Sequence, residues 1–302
     1  MSVDLNLPTI KRIIRTHSNK MNTYGLVGYP LGHSFSRNFF GDKFAKENID
    51  AEYLNFEIPS IELLPQVLTD HPNLCGFNVT IPYKQQVMAY LNDISQEARA
   101  IGAVNVVKVT RKEGRTELKG FNSDVIGFVN SITPLLQPRH KKALILGTGG
   151  ASKAICYGLK EKLNITPLFV SRTAKDGAIT YADIDSSILN EYEVIVNCTP
   201  SGMYPHTDEC PPLPYHLLTP RHLLYDLVYN PEETLFMKKG AEQGATVKNG
   251  LEMLILQAIA SWEIWNDLCG EQQKRNKTTV LHPQKKTRGH EGFLSFLWML
   301  YI

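Results

Sequence analysis

The clearest indication of the fold class is the segment Lys142-Ala143-Leu144-Ile145-Leu146-Gly147-Thr148-Gly149-Gly150-Ala151-Ser152-Lys153-Ala154. It opens with a short apolar run, which is typical of a strand buried on both faces of a parallel sheet. The glycines that follow at once predict a tight turn, and the small residues after them predict the start of a helix. A strand, a glycine turn and a helix in direct succession indicate one unit of a doubly wound α/β sheet.

Further apolar runs of strand length follow at 167–170, 194–197 and 223–228, with helical stretches between them. They predict a parallel sheet covered by helices on both faces, which is the Rossmann pattern. Upstream of the glycine turn, strands are predicted at 23–28, 52–58, 75–79 and 104–109, with helices at 38–44, 63–68 and 85–91. Because 302 residues are enough to bury two cores of ordinary size, the chain is predicted to be an α/β protein of two domains.

Composition narrows the classes of partner. Hydrophobic residues make up 43% of the chain and charged residues 21%, as in a soluble globular protein. The formal net charge of +2 is too small to predict a nucleic-acid partner, so a small-molecule ligand is expected. The cysteines show neither a C-x-x-C pair nor the spacing of zinc ligands, so we expect reduced thiols, a cytoplasmic protein and no metal. These cysteines are Cys75, Cys156, Cys198, Cys210 and Cys269.

We identify no clear targeting signal in the terminal segments of this sequence. Residues 1–20 lack an apolar core of signal-peptide length. The apolar run 293–302 is about half the roughly 20 residues of a membrane span, so no membrane partner is expected. A tail that touches a membrane, a docked terminal segment and an extension without function all remain open for it.

The glycine turn also predicts a dinucleotide site. Gly147 ends the strand, Gly149 lets the backbone approach a pyrophosphate, and the helix that opens at Ala151 directs its amides at an anion. Ser152 stands where the usual third glycine would be, so small neighbours must allow close packing of helix and strand. A purely structural turn is the alternative.

The end of the next strand predicts which dinucleotide binds. An NAD site usually has a carboxylate about 20 residues beyond the glycines, where it binds the ribose 2′-hydroxyl. This chain has Ser171, Arg172, Thr173 and Lys175 there. A carboxylate would repel a 2′-phosphate, whereas a guanidinium, a hydroxyl and an ammonium attract it. The expected cofactor is therefore NADP(H).

One lysine is a candidate catalytic residue from the local pattern alone. Lys84 ends the segment Phe77-Asn78-Val79-Thr80-Ile81-Pro82-Tyr83-Lys84, a strand closed by a proline-bounded turn. A solvated surface lysine is the alternative, because exposure is the rule for lysine. Asp124 follows Asn122-Ser123, where it could be a helix N-cap.

A series of motifs identifies the chain as similar to the shikimate dehydrogenase family, from about residue 23 to 265. The motifs occur in the family's order and are, besides the Lys84 segment and the glycine loop, Gly32-His33-Ser34-Phe35-Ser36, Gly102-Ala103-Val104-Asn105, Gly120-Phe121-Asn122-Ser123-Asp124, Asn197-Cys198-Thr199-Pro200-Ser201-Gly202-Met203, Asp226-Leu227-Val228-Tyr229-Asn230-Pro231 and Asn249-Gly250-Leu251-Glu252-Met253-Leu254. The resemblance implies reversible NADPH-dependent reduction of 3-dehydroshikimate to shikimate, in the biosynthesis of chorismate and the aromatic amino acids.

The resemblance also implies roles for individual residues. Lys84 and Asp124 match the family's catalytic pair, which would supply a proton to the developing alkoxide. Ser34, Ser36 and Tyr229 would hold the substrate carboxylate, and Asn78, Thr80, Asn105 and Gln257 the ring hydroxyls. The cofactor contacts would be Gly147, Gly149, Gly150, Ala151, Ser171, Arg172, Thr173, Lys175, Thr199 and Gly250. Turn, cap or surface roles are the alternatives for the single polar residues.

Domain boundaries follow from the same match. We expect an N-terminal extension at 1–21, a substrate-binding domain at 22–124 completed by a helix at 251–266, an NADP-binding domain at 125–250, and a tail at 267–302. The active site would lie in the cleft between the domains, which the helix must cross again if Gln257 is to reach the substrate. The chain itself is expected to be a monomer or a homodimer.

Some alternatives stay open. Arg37 stands where the family usually has proline, and its side chain could meet an anionic substrate or point to solvent. A quinate/shikimate dehydrogenase that uses NAD shares nearly every motif, and a non-catalytic nucleotide-binding paralogue could keep the fold. A methylenetetrahydrofolate dehydrogenase would share the two domains and a lysine, but it leaves Ser34, Ser36 and Asp124 unexplained.

Overall fold

Two sheets of six strands each organise the described part of the chain in this computed structural model, which describes residues 21–32 and 35–267. The predicted α/β class with a Rossmann-type sheet is confirmed. The residue boundaries of the two domains remain a prediction. The N-terminal extension up to residue 20 and all of the tail beyond Asp267 lie outside the described residues. Within the described ranges, no helix is both long enough and apolar enough to cross a membrane.

The first sheet is mixed and has the strand order β2-β1-β3-β5-β6-β4. Its strands are β1 (Asn22–Gly28), β2 (Ala51–Glu57), β3 (Leu74–Val79), β4 (Asp93–Ile94), β5 (Val106–Lys112) and β6 (Arg115–Phe121). The helices of this part are α1 (Phe35–Lys46), α2 (Leu64–Asp70) and α3 (Gln96–Ile101), with 3₁₀ turns at Ile61–Leu63 and Gln86–Tyr90. Strand β1 runs parallel to β2 and β3, whereas β5 is antiparallel to β3 and β6.

The second sheet is parallel throughout, in the order β12-β11-β10-β7-β8-β9. Its strands are β7 (Lys142–Leu146), β8 (Thr166–Ser171), β9 (Ala178–Thr180), β10 (Val194–Asn197), β11 (Leu223–Asp226) and β12 (Thr246–Lys248). The helices are α4 (Asp124–Ile132), α5 (Gly150–Tyr157), α6 (Ser186–Glu191) and α7 (Leu235–Ala241), and a π-helical turn, Gly158–Lys162, follows α5. Separate apolar clusters cover its two faces, as predicted for a buried parallel sheet.

Helix α8 (Leu251–Trp265) joins the two halves of the molecule. Met253 near its start belongs to the core of the second sheet, whereas Ile264 and Trp265 at its end belong to the core of the first. The Trp265 indole donates to the carbonyl of Val107 on β5, over 3.1 Å. Helix α8 therefore packs against both sheets, and its assignment to the substrate-binding domain stays a prediction.

Some local predictions were wrong. The helix predicted at 38–44 begins earlier, at Phe35, and ends at Lys46. Asp124 is the first residue of α4 and Ser123 is its N-cap. Strand β6 was missed because its hairpin turn is Glu113-Gly114, with φ of 50° and 76°. Two positive φ values suit a two-residue hairpin, but glutamate is not among the residues that usually mark one.

Candidate active site

A turn after β3 and the first residue of α4 bring two charged side chains together. Lys84 Nζ lies 2.6 Å from Asp124 Oδ2, and the side chains are only 16% and 10% exposed. The turn is held from both sides: the hydroxyl of buried Tyr83 donates to the Ile58 carbonyl over 2.7 Å, and the Val104 amide donates to the Lys84 carbonyl over 2.7 Å. Lys84 is therefore a paired and largely buried lysine.

The second oxygen of the carboxylate has a partner of its own. Asn105 Nδ2 donates to Asp124 Oδ1 over 2.8 Å, and the Asn105 side-chain oxygen accepts from the Ser123 amide over 2.7 Å. Asp124 also stands at the N-terminus of α4, where the helix dipole favours a negative charge. Asp124 is thus fixed by two side chains and by the helix that carries it.

A cavity of about 400 Å³ opens beside this pair. It is lined by all but one of the residues predicted to bind substrate, namely Ser36, Asn78, Thr80, Asn105, Tyr229 and Gln257. The exception, Ser34, lies outside the described residues. Gly250 was predicted to contact the cofactor, but it lines this smaller cavity. Arg37 is exposed and does not line the cavity.

Both halves of the molecule contribute walls to this cavity. The ring of Tyr229, from the loop after β11, lies 6.1 Å from the ring of Phe35 on α1, edge to face. Burial raises the pKa of the Tyr229 phenol, so its hydroxyl remains a hydrogen-bond donor near neutral pH. Gln257 on α8 forms part of the lining that comes from the returning helix.

A larger cavity of about 1180 Å³ meets the first one. Lys84, Thr80 and Ala151 line both, so the ion pair lies where the two cavities join. The larger cavity is lined by the other predicted cofactor residues, which are Gly147, Gly149, Gly150, Ser171, Arg172, Thr173, Lys175 and Thr199.

The glycine loop has the geometry that a pyrophosphate needs. Gly147 has φ of +99°, a value that side chains other than glycine rarely adopt. No heavy atom of the described residues lies within 4 Å of a Cβ placed on Gly149, so a ligand can reach the backbone there. Helix α5 begins at Gly150 and turns its free amides to the cavity end of the loop. Ser152, in place of the third glycine, is buried and donates to the Gly149 carbonyl over 2.6 Å.

The basic residues after β8 stand at the same cavity. Arg172, Thr173 and Lys175 are exposed, and Lys175 Nζ donates to Thr148 Oγ1 of the glycine loop over 3.2 Å. The loop and the basic residues are therefore close enough to serve one ligand. A glycine turn, an open helix N-terminus and basic side chains in one large cavity suit a dinucleotide with a 2′-phosphate.

Comparison with known proteins agrees with this geometry. Residues 26–107 match the family model described as the shikimate dehydrogenase substrate binding domain. The NADP(+) shikimate dehydrogenase of Methanosphaera stadtmanae is 34% identical over 86% of this chain and 96% of its own length. The chain belongs to the shikimate dehydrogenase family. The resemblance stated from the motifs is thereby confirmed.

Solved structures of the shikimate dehydrogenase family share the fold. A chorismate mutase/shikimate 5-dehydrogenase fusion protein from Clostridium acetobutylicum is 38% identical, with a TM-score of 0.72, over 82% of this chain and 92% of that one. The shikimate 5-dehydrogenase of Thermus thermophilus, solved in complex with NADP(H) and shikimate, is 30% identical, with a TM-score of 0.70. That comparison covers 81% of this chain and 93% of the Thermus chain.

Sequence reasoning missed several residues of the two cavities. Phe35, Met253 and Leu254 line the smaller cavity, and Tyr181, Tyr204 and His206 line the larger one. Apolar residues in helices predict a core rather than a site, so no local signal set the first group apart. The second group lies in segments that reach the cavity only because of the order of strands in the second sheet.

Proposed function

We propose that this protein catalyses the reversible NADPH-dependent reduction of 3-dehydroshikimate to shikimate. The observation that carries the proposal is the Lys84–Asp124 pair, 2.6 Å long, at the junction of the two cavities. A ketone in the smaller cavity would meet an ammonium group on one side and the cofactor cavity on the other. NADPH, when bound in the larger cavity, supplies the hydride that the carbonyl carbon receives.

The chain's own residues supply the proton and its position. Lys84 donates a proton to the carbonyl oxygen as negative charge develops there, and it takes the proton back in the reverse reaction. Asp124 holds the ammonium group in place through its 2.6 Å contact, and Asn105 holds the carboxylate. Since the two charges act on each other, we assign proton transfer to the pair, with Lys84 as the larger contributor.

Substrate binding is assigned to the polar lining of the smaller cavity. Ser34, Ser36 and Tyr229 are proposed to hold the carboxylate, and Asn78, Thr80, Asn105 and Gln257 the ring hydroxyls. Their hydroxyl and amide groups suit a ligand with one carboxylate and several hydroxyls. In the larger cavity, Arg172 and Lys175 favour NADP(H) over NAD(H), because a 2′-phosphate offers them an anion that a ribose hydroxyl does not. We further propose that the protein is cytoplasmic and that it is a monomer or a homodimer. Light scattering of the purified chain would distinguish the two oligomeric states.

One assay tests the function against its alternatives. The purified full chain is mixed with shikimate or quinate and with NADP⁺ or NAD⁺, and the formation of reduced cofactor is followed. We expect the highest kcat/KM with shikimate and NADP⁺. A preference for quinate and NAD⁺ would identify the quinate-type enzyme, and no turnover above that of Lys84→Ala with any pair would identify a non-catalytic paralogue.

A further inference from the structure

A buried tyrosine lies directly behind the smaller cavity without lining it. Tyr53 on β2 is 5% exposed, and its hydroxyl donates to Asn78 Oδ1 over 2.9 Å. Burial raises the pKa of the Tyr53 phenol, against an interaction with Ser36 on α1 that lowers it. Tyr53 thus contacts Asn78, one of the residues assigned to the ring hydroxyls.

The nitrogen end of the Asn78 side chain is occupied by other protein groups. Asn78 Nδ2 donates to Ser261 Oγ on α8 over 2.9 Å and to the Asn105 carbonyl over 3.3 Å. An amide nitrogen carries two hydrogens, so both are used. The oxygen Oδ1 accepts from Tyr53 and has capacity for one more donor.

The surrounding groups also decide which end of the amide is nitrogen. A carbonyl can only accept, so an oxygen placed against the Asn105 carbonyl would face another acceptor. The Ser261 hydroxyl donates to the Gln257 carbonyl over 2.8 Å, which leaves its oxygen free to accept from Asn78. Ser261 is fully buried, and its hydroxyl also lies 3.1 Å from that of buried Ser123. No water is needed to satisfy this arrangement.

We propose that Tyr53 and Ser261 are positioning residues for substrate recognition, which hold the Asn78 amide so that it offers an oxygen to a hydroxyl donor of the substrate. The inference rests on the proposed function and adds two residues that do not touch the substrate. It also assigns the direction of one hydrogen bond: the ring hydroxyl donates and Asn78 accepts. Without its partners the amide rotates, and the bond to the substrate is formed in only part of the molecules.

The test is a comparison of single and double variants by steady-state kinetics. Tyr53→Phe removes one hydroxyl and keeps the ring. A net hydrogen bond contributes about 0.5–1.5 kcal/mol, which corresponds to roughly 2- to 12-fold in binding. We expect KM for shikimate to rise about 3- to 10-fold, with kcat and KM for NADP⁺ within about twofold of wild type, because ground-state and transition-state binding are weakened alike. In an Asn78→Ala background, the same substitution should have no further effect on KM.

A matched control removes a different buried tyrosine hydroxyl. Tyr225 is fully buried and its hydroxyl lies 2.7 Å from Ser131 Oγ, and Tyr225 lines neither cavity. Tyr225→Phe should therefore leave KM for shikimate unchanged. If the Tyr53→Phe variant does not unfold cooperatively on heating, Ser261→Ala provides the same comparison, because it also removes a single hydroxyl that contacts the Asn78 amide.

The outcomes separate this inference from the proposed function. An active wild type whose KM for shikimate is unchanged in Tyr53→Phe and in Ser261→Ala would overturn the positioning role alone. A rise in KM for shikimate that Tyr53→Phe causes at full size in the Asn78→Ala background would also overturn the positioning role. Tyr53 would then act through Ser36 or through packing. A wild type that neither binds shikimate by calorimetry nor oxidises it would overturn both proposals.

Discussion

Lys84 Nζ and Asp124 Oδ2 lie 2.6 Å apart, although 40 residues separate them in the chain. One residue belongs to the turn after β3 and the other begins α4. Their contact joins the end of the first sheet to the helix that leads into the second. An ion pair this well shielded differs from a surface pair, which contributes little to stability and is screened by salt.

Replacement of the lysine should abolish most of the turnover. Lys84→Ala removes the proposed proton donor, so kcat should fall by at least about 100-fold while KM for shikimate changes little. Steady-state kinetics with NADP⁺ measure both. Lys119→Ala is the matched control, because Lys119 forms a 2.7 Å ion pair with Asp93 in which both side chains are about half exposed. A kcat for Lys84→Ala near that of the control would refute the assignment.

The basic residues of the larger cavity should discriminate between cofactors. Arg172→Ala removes one charged donor to a 2′-phosphate, which contributes about 1.5–3 kcal/mol. KM for NADP⁺ should therefore rise roughly 10- to 100-fold, and KM for NAD⁺ should stay the same. Arg115→Ala, at the exposed start of β6, is the control. An equal rise in KM for NADP⁺ and for NAD⁺ would argue against contact between Arg172 and the 2′-phosphate.

The close approach of α4 and α8 should tolerate no side chain at Gly127. A Cβ there would lie 2.5 Å from the Met253 carbonyl oxygen and 3.1 Å from Gln257 Cβ. Gly127→Ala should lower the free energy of unfolding by about 1–3 kcal/mol through overpacking. Gly41→Ala in α1 has open space and should raise it by up to about 1 kcal/mol, since alanine favours helix. Denaturant titration compares the two, and a stabilised Gly127→Ala variant would contradict the packing.

Stability should depend on pH through a buried carboxylate at the end of β11. Burial raises the pKa of Asp226 from 3.8 to about 6, against the hydrogen bonds from Thr234, Val228 and Asn197 that lower it. Between about pH 4 and 6 the folded state therefore binds more protons than the unfolded state. Its free energy of unfolding should fall as pH rises through this window, by on the order of 3 kcal/mol from this group.

Asp226→Asn tests this directly, because asparagine does not titrate. Measured by denaturant titration, the variant should gain stability relative to wild type as pH rises from about 4 to 6. Asp93→Asn should behave in the opposite way, because the hydrogen bond from Lys119 lowers the pKa of Asp93 and its contribution is lost as pH falls. A difference between Asp226→Asn and wild type that is constant with pH would show that the carboxylate is not perturbed.

The sequence predicted four of the six strands of each sheet: β4 and β6 were missed in the first, and the short β9 and β12 in the second. The run of β7 is apolar over its length and is followed at once by glycines, so its limits were predicted as the structure has them. Strand β5 was placed two residues early, and the hairpin to β6 was missed. Residues of a parallel sheet buried on both faces form continuous apolar runs, whereas β6, with mostly exposed residues, has a weak pattern of its own.

Features that depend on neighbours in the chain could be predicted from local sequence: the strand, glycine turn and helix around Gly147, the basic residues after β8, and the motifs of the family. Tertiary structure alone decided which side chains meet. The contact of Tyr53 with Asn78 and that of Asn78 with Ser261 span 25 and 183 residues. Such contacts depend on the order of the strands and on the packing of α8 against the first sheet. A local sequence pattern specifies neither. The roles of Tyr53 and Ser261 therefore come from the fold.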